Sequence, residues 1–370
     1  MLTNAANVLC HLLRKVINPT IMTEEDLLKN ANWDDVKNLA LRQGVHAIIF
    51  DVVSKLPPEL RPDRESLIRN WIGYVIAIEK YHKKHADAIS DLSLFYEKNG
   101  IKMMLLKGWG LSLNYPQPNH RPSGDIDIWL YGKQKFADKI LSVEMDIRPI
   151  KSSHHTIFQY KGVEVENHIT FIETDCHKAD GSEEILLDYA REPAIEVGGE
   201  KGNTILLPSA NLNAFFLLRH SSAHFATENI TLRHLLDWAF FVNKYHTDID
   251  WEKLYVHALD KNMHIFLDCL NAICVDVLGF DSSCFPIHRR YPLLQKRIFL
   301  DILYPEFKEI APSMRSNFVK YCYVKTKRQF ANKWKYGITY KESFWSILLR
   351  FAWNRIRTPY SFGDIIKNKR

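Results

Sequence analysis

The chain lacks the marks of membrane, disulfide-stapled and repeat proteins. No run approaches the roughly 20 consecutive apolar residues that a membrane-spanning helix needs. Residues 1–13 carry neither a basic start nor a small-residue cleavage site, so no signal segment is expected. The six cysteines, Cys10, Cys176, Cys269, Cys274, Cys284 and Cys322, form no Cys-x-x-Cys pair. That spacing excludes a zinc ribbon or a disulfide framework as the organising device and points to a cytoplasmic setting. There is no internal repeat and no low-complexity tract.

What is present is an ordinary globular composition: 370 residues, 46% hydrophobic and 25% charged, enough for two or three domains. The net charge of +6 is modest but unevenly placed. From Lys325 onward come Lys327, Arg328, Lys333, Lys335, Arg350, Arg355, Arg357, Lys367, Lys369 and Arg370 against very few acids. Trp334, Tyr336, Tyr340, Phe344, Trp345, Phe351 and Trp353 interleave with them. Such a mixture suits contact with a membrane interface or a nucleic-acid backbone, and aromatic side chains at helical spacing also suit plain packing.

Apolar periodicity divides the chain into four stretches. Residues 1–90 read as four or five short helices separated by Pro19, Pro57, Pro58 and Pro62. Residues 91–207 read as an α/β core, residues 208–330 as a helical domain, and residues 331–370 as the basic aromatic segment. In the core, an apolar run from Ile101 to Leu106 leads into Lys107-Gly108. Thr156–Tyr160 and Val163–Ile169 alternate as a hairpin turning at Lys161-Gly162. Long helices are expected over 209–226, 231–244, 251–261 and 264–277, with Asn229 and Asp250 near their starts.

The stretch Asp125-Ile126-Asp127-Ile128 places two carboxylates on one face of a strand. Two like charges there need a cation or a shared proton. Glu166, on the second hairpin strand, supplies a third carboxylate, with Glu164 competing because both face the same way; His168 follows on that face. Arg121, in the loop before Asp125, suits either bidentate phosphate contact or a salt bridge orienting Asp125 or Asp127. Lys107 suits a phosphate oxygen, and Gly108 would let the backbone approach one closely, at the start of a helix. His220 and His224 share a helix face near Arg219; Asp237, with Arg233 on the next helix, is the attractive third ligand for a zinc site there. The same residues also suit substrate contacts or a polar seam between helices. His154-His155 has no carboxylate at ligand spacing and is given no role. A bland reading, a solvated acidic edge strand, produces the same letters.

The ordered set Leu106-Lys107-Gly108, Tyr115, Arg121, Asp125-Ile126-Asp127-Ile128 and Val165-Glu166-Asn167-His168 resembles the uncharacterised bacterial nucleotidyltransferases of the polymerase-beta-like superfamily, over about residues 47–244. The resemblance implies an α+β fold: a small mixed-sheet nucleotidyltransferase core with N-terminal helices and a C-terminal helical domain closing over the cleft. It implies transfer of a nucleoside monophosphate from a nucleoside triphosphate such as ATP to a hydroxyl acceptor, a sugar, small molecule or protein, with Mg²⁺ or Mn²⁺. Asp125, Asp127 and Glu166 would hold the metal and carry catalysis; Lys107, Gly108, Arg121, Ser112 and His168 would hold the nucleotide. The superfamily usually has Gly-Ser where this chain reads Gly108-Trp109-Gly110, with no serine until Ser112. The alternatives are a non-catalytic nucleotide-binding or interaction module and a metal-dependent phosphohydrolase.

Overall fold

The structure, a computed structural model, describes residues 2–152, 154–172, 181–313 and 316–357. At the start, Thr3 caps α1 (Asn4–Ile17) by accepting the Ala6 N–H, and Val8, Leu9, Leu12 and Leu13 turn inward. Next come α2 (Glu25–Lys29), α3 (Trp33–Gln43), α4 (His46–Val53) and α5 (Arg64–Ser66). The short helix expected near Trp71 is longer: a π-helical stretch, Leu67–Ile72, runs straight into α6 (Gly73–Lys98). No proline or helix-ending glycine intervenes until Asn99-Gly100, where Gly100 takes a positive φ of 66°.

The α+β architecture expected from the sequence is present. Seven strands form one mixed sheet in the order β3-β4-β5-β2-β1-β7-β6. They are β1 (Met104–Leu105), β2 (Ile126–Trp129), β3 (Ile150–Lys151), β4 (His155–Tyr160), β5 (Val163–His168), β6 (Ile195–Gly198) and β7 (Thr204–Leu207). Between them lie α7 (Trp109–Ser112), α8 (Gln134–Glu144) and α9 (Ser182–Tyr189). The β4–β5 hairpin turns at Lys161-Gly162 as expected, whereas the β6–β7 hairpin was not anticipated. One sheet face buries Leu105, Ile126, Ile128, Val163, Val165 and Ile205 against Ile89, Leu92 and Tyr96 of α6 and Ala137 and Leu141 of α8. Burial of a side chain of this size stabilises by about 1.5–3 kcal/mol, and the alternation fixes which residues face the other way.

The opposite face meets a layer of helices: α10 (Ala210–Thr227), α11 (Leu232–Tyr245), α12 (Trp251–Asp260), α13 (His264–Ile273) and α14 (Pro292–Leu303), which share one core with α1, α3 and α4. Ser209, Thr231 and Asp250 cap α10, α11 and α12. Asn229, expected near a helix start, instead has a φ of 139° and accepts from Lys335 Nζ. Last come α15 (Phe318–Ala331), α16 (Lys333–Tyr336) and α17 (Phe344–Arg357).

Much of the terminal aromatic and basic set is structural. Tyr336, Tyr340, Phe344 and Ile347 bury together against Ala226. Lys335 is wholly buried and ion-paired to Asp301 at 2.5 Å, while Lys327 pairs with Glu309. Trp345 and Trp353 are exposed. The side chains of Phe351, Arg355 and Arg357, and all of Cys176, Lys367, Lys369 and Arg370, lie outside the described residues. Among the described residues no helix is long and apolar enough to cross a membrane.

Candidate active site

Strand register assembles the acidic cluster. β2 and β5 pair in parallel with Asp127 beside Glu166, and Asp125 precedes β2 on the same face as Asp127. One carboxylate oxygen from each of Asp125, Asp127 and Glu166 lies within 4.8 Å of the others. Ile126 and Ile128, almost fully buried on the reverse face, hold that register, since a one-residue slip would exchange the isoleucines for the aspartates. Glu164 lies further along the strand and accepts from Gln159 Nε2 at 3.1 Å, so Glu166 is the residue that joins the pair.

Gly108 brings Lys107 to this cluster. It has a φ of 61°, and a Cβ built there would sit 3.3 Å from the Asp125 carbonyl oxygen, so both conformation and space call for glycine. The helix that follows, α7, has only four residues, so little dipole builds up to favour a phosphate; the demand on Gly108 comes from the neighbouring strand. Lys107 Nζ lies 2.9 Å from Asp127 Oδ1, and His168 Nε2 lies 3.0 Å from the same oxygen.

These contacts divide the carboxylates. Burial opposes charge on Asp127, but Lys107 and His168 overcome it and hold Asp127 well below the usual carboxylate range. Asp125 is raised, first by the charge on Asp127 and then by burial. Glu166 is pushed up to about 8 by burial, then by Asp127 and Asp125. Lys107 itself stays charged: burial works against it, but Asp127 and Asp125 raise its pKa. Three converging carboxylates around one lysine leave unrelieved like charge, and their hard oxygen donors fit a divalent cation.

The other predicted residues take varied positions. Arg121 contacts neither Asp125 nor Asp127; its Nε and Nη2 donate to Asp237 at 2.9 and 2.7 Å, and its Nη1 donates to the Pro122 carbonyl and to Ser123 Oγ. With Tyr115 Oη donating to Asp237 at 2.7 Å, this buried group straps the loop before β2 to α11. Asp237 is therefore engaged and joins no cluster with His220 and His224. Ser112 is fully buried, donates to the Trp109 carbonyl at 2.6 Å and meets His82 Nε2 at 3.0 Å, away from the cleft.

Sequence reading missed His155. The hairpin register sets it opposite His168, and its Nε2 lies 3.7 Å from Glu166 Oε1. The signal was available: a two-residue turn at 161–162 fixes every facing pair on the hairpin, His155 and His168 included.

Asp125 and Glu166 of the cluster line a cleft of about 540 Å³, with Asp127 just beneath. Its walls carry Arg219 and His220 from α10, Arg233 from α11, and Lys325, Arg328 and Gln329 from α15. His220 is held neutral, its pKa pushed well below the usual histidine value by burial and then by Lys107. Lysines and arginines on the lining number five (Lys107, Arg219, Arg233, Lys325, Arg328) against three acids (Asp125, Glu166, Glu228), an excess that favours an anionic occupant.

Comparison with curated proteins gives no match. Among solved structures, that of an antigenic nucleotidyltransferase-like protein from Paracoccidioides brasiliensis aligns at 14% identity over 55% of this chain and 97% of that one, with a TM-score of 0.34. Residues 29–279 match the model of the uncharacterised nucleotidyltransferases, a range that contains the whole acidic cluster, Lys107, Arg121 and Asp237. By that match over most of its length, the chain belongs to the uncharacterised nucleotidyltransferase family.

Proposed function

We propose that the protein transfers a nucleoside monophosphate from a nucleoside triphosphate to a hydroxyl-bearing acceptor, in the manner of the polymerase-beta-like superfamily. The observation that carries this reading is the convergence of Asp125, Asp127 and Glu166 within 4.8 Å at the floor of a cationic cleft. Asp125, Asp127 and Glu166 would hold Mg²⁺ or Mn²⁺, which when bound neutralises phosphate charge and lowers the pKa of an attacking hydroxyl.

The chain's own groups do the rest. Lys107 and His168 keep Asp127 ionised and fixed in place. Arg219, Arg233, Lys325 and Arg328 offer positive charge to the triphosphate along the walls. The acceptor oxygen forms a bond to the α-phosphorus, the bond from that phosphorus to the pyrophosphate oxygen breaks, and the hydroxyl proton passes to a Glu166 oxygen. Burial and the charges on Asp127 and Asp125 raise the proton affinity of Glu166, and a bound cation would free that carboxylate to act as the acceptor. Arg121 stays out of the chemistry and keeps the Asp125 loop in position.

The test is release of pyrophosphate from each of the four nucleoside triphosphates, with Mg²⁺, with and without a cell extract as acceptor source. Extract-dependent release that disappears in Asp125→Asn and Asp127→Asn supports transfer. Release of inorganic phosphate without acceptor would replace this reading with a hydrolase, and nucleotide binding without turnover would replace it with a binding module.

A further inference from the structure

Glu166 faces two clusters. Beyond its contact with the aspartates, one ligand atom each from His155, Glu166 and His168 also lie within 4.8 Å of one another. His155 Nε2 is 3.7 Å from Glu166 Oε1, and His168 Nε2 is 3.8 Å from Glu166 Oε2, so the two imidazoles address different oxygens of one carboxylate. Tetrahedral ligands at about 2.0–2.1 Å from a metal stand about 3.3 Å apart, and both histidine–carboxylate separations are within about half an ångström of that.

His168 is held on both sides of its ring: its Nδ1 lies 3.2 Å from the Thr170 carbonyl oxygen and its Nε2 lies 3.0 Å from Asp127 Oδ1. A backbone carbonyl behind the ring is an arrangement that orients a metal-ligating histidine. The buried carboxylate cluster is all oxygen, whereas this one is two nitrogens and an oxygen, a set that suits first-row transition ions over Mg²⁺.

The geometry points to a second cation site, formed by His155, His168 and Glu166, that takes a first-row transition dication of the Zn²⁺ or Mn²⁺ kind and shares Glu166 with the aspartate site. It rests on the proposed transfer reaction only for its catalytic use; binding is tested independently of turnover.

Full-length protein stripped of metal by a chelator is titrated with Co²⁺, whose visible absorption reports coordination. The expected result is stoichiometric binding with a strong visible band in wild type and affinity lowered by more than about a hundredfold in His155→Ala, as loss of a direct ligand exceeds the 10–100-fold typical of outer partners. His155→Cys, a ligand-preserving variant, restores binding and adds thiolate charge-transfer absorption. Asp125→Asn retains the band while nucleotidyl transfer is lost. The inference is overturned by absence of a band in wild type, by an unchanged spectrum and affinity in His155→Ala, or by loss of the band in Asp125→Asn, which would assign the ion to the aspartates. A band that behaves as expected in a protein that transfers no nucleotide would keep this site and remove the transferase reading.

Discussion

Glu166→Gln should make the metal-free protein more stable in alkali, although it removes a residue of the candidate active site. In the folded chain Glu166 holds its proton up to about 8, against an ordinary value of 4.5. Between those values the folded state keeps a proton that the unfolded chain has released, so stability falls as pH rises through this window and the loss is complete above it. At about 1.4 kcal/mol per pH unit the span from 4.5 to about 8 sets a ceiling of about 5 kcal/mol. The side chain retains 20% exposure, and local relaxation reduces the effect to about 2–4 kcal/mol. Glutamine keeps the shape without the charge. Urea unfolding at about pH 9 should therefore show the variant more stable by that amount, with the difference vanishing near pH 4. Millimolar Mn²⁺ should close the gap at high pH by stabilising only the wild type. Equal stability of the two proteins at about pH 9 without metal would refute the claim that Glu166 is forced against Asp125 and Asp127.

Arg121→Ala removes both guanidinium hydrogen bonds from buried Asp237, leaving Tyr115 as its donor and the charge of Arg233 nearby, and should cost about 3–5 kcal/mol in urea unfolding, far more than a surface pair; a loss under about 1 kcal/mol would contradict the strap described for it. Gly108→Ala should destabilise by about 1–3 kcal/mol through its positive φ and the 3.3 Å approach to Asp125, and should weaken Mn²⁺ binding measured by calorimetry because that approach positions the carboxylate. Lys335→Met should also cost about 3–5 kcal/mol by stranding buried Asp301, and Lys335→Met with Asp301→Leu should recover most of it, read as the denaturation midpoint.

The parts of this molecule legible in its sequence are those written in local periodicity. Asp125 and Asp127 alternate with Ile126 and Ile128, so their shared face followed from the two-residue repeat. The Lys161-Gly162 turn gave β4 and β5, and the helices 210–227 through 264–273 followed from apolar spacing, with Asp250 at the start of one of them. What stayed hidden depends on contacts distant in the chain. Arg121 and Asp237 are 116 residues apart, and nothing near either announces the other. Lys335 reads as part of a basic surface segment until Asp301 is brought beside it in the interior. The β6–β7 hairpin was overlooked for a different reason: its strands are four residues each, too short for alternation to stand out from loop sequence.

The cleft is built from two separate stretches of chain. Its floor and one wall fall within residues 29–279, the part shared with the family, whereas Lys325, Arg328, Tyr336, Tyr340 and Ile347 on the far side all come later. On the proposed transferase reading, reaction chemistry and choice of acceptor would be separable along the polypeptide: substitutions in α15 to α17 would reshape the cleft while the three carboxylates keep their register. The buried pair Lys335–Asp301 pins that far wall, so its shape belongs to the fold and not to a loose tail.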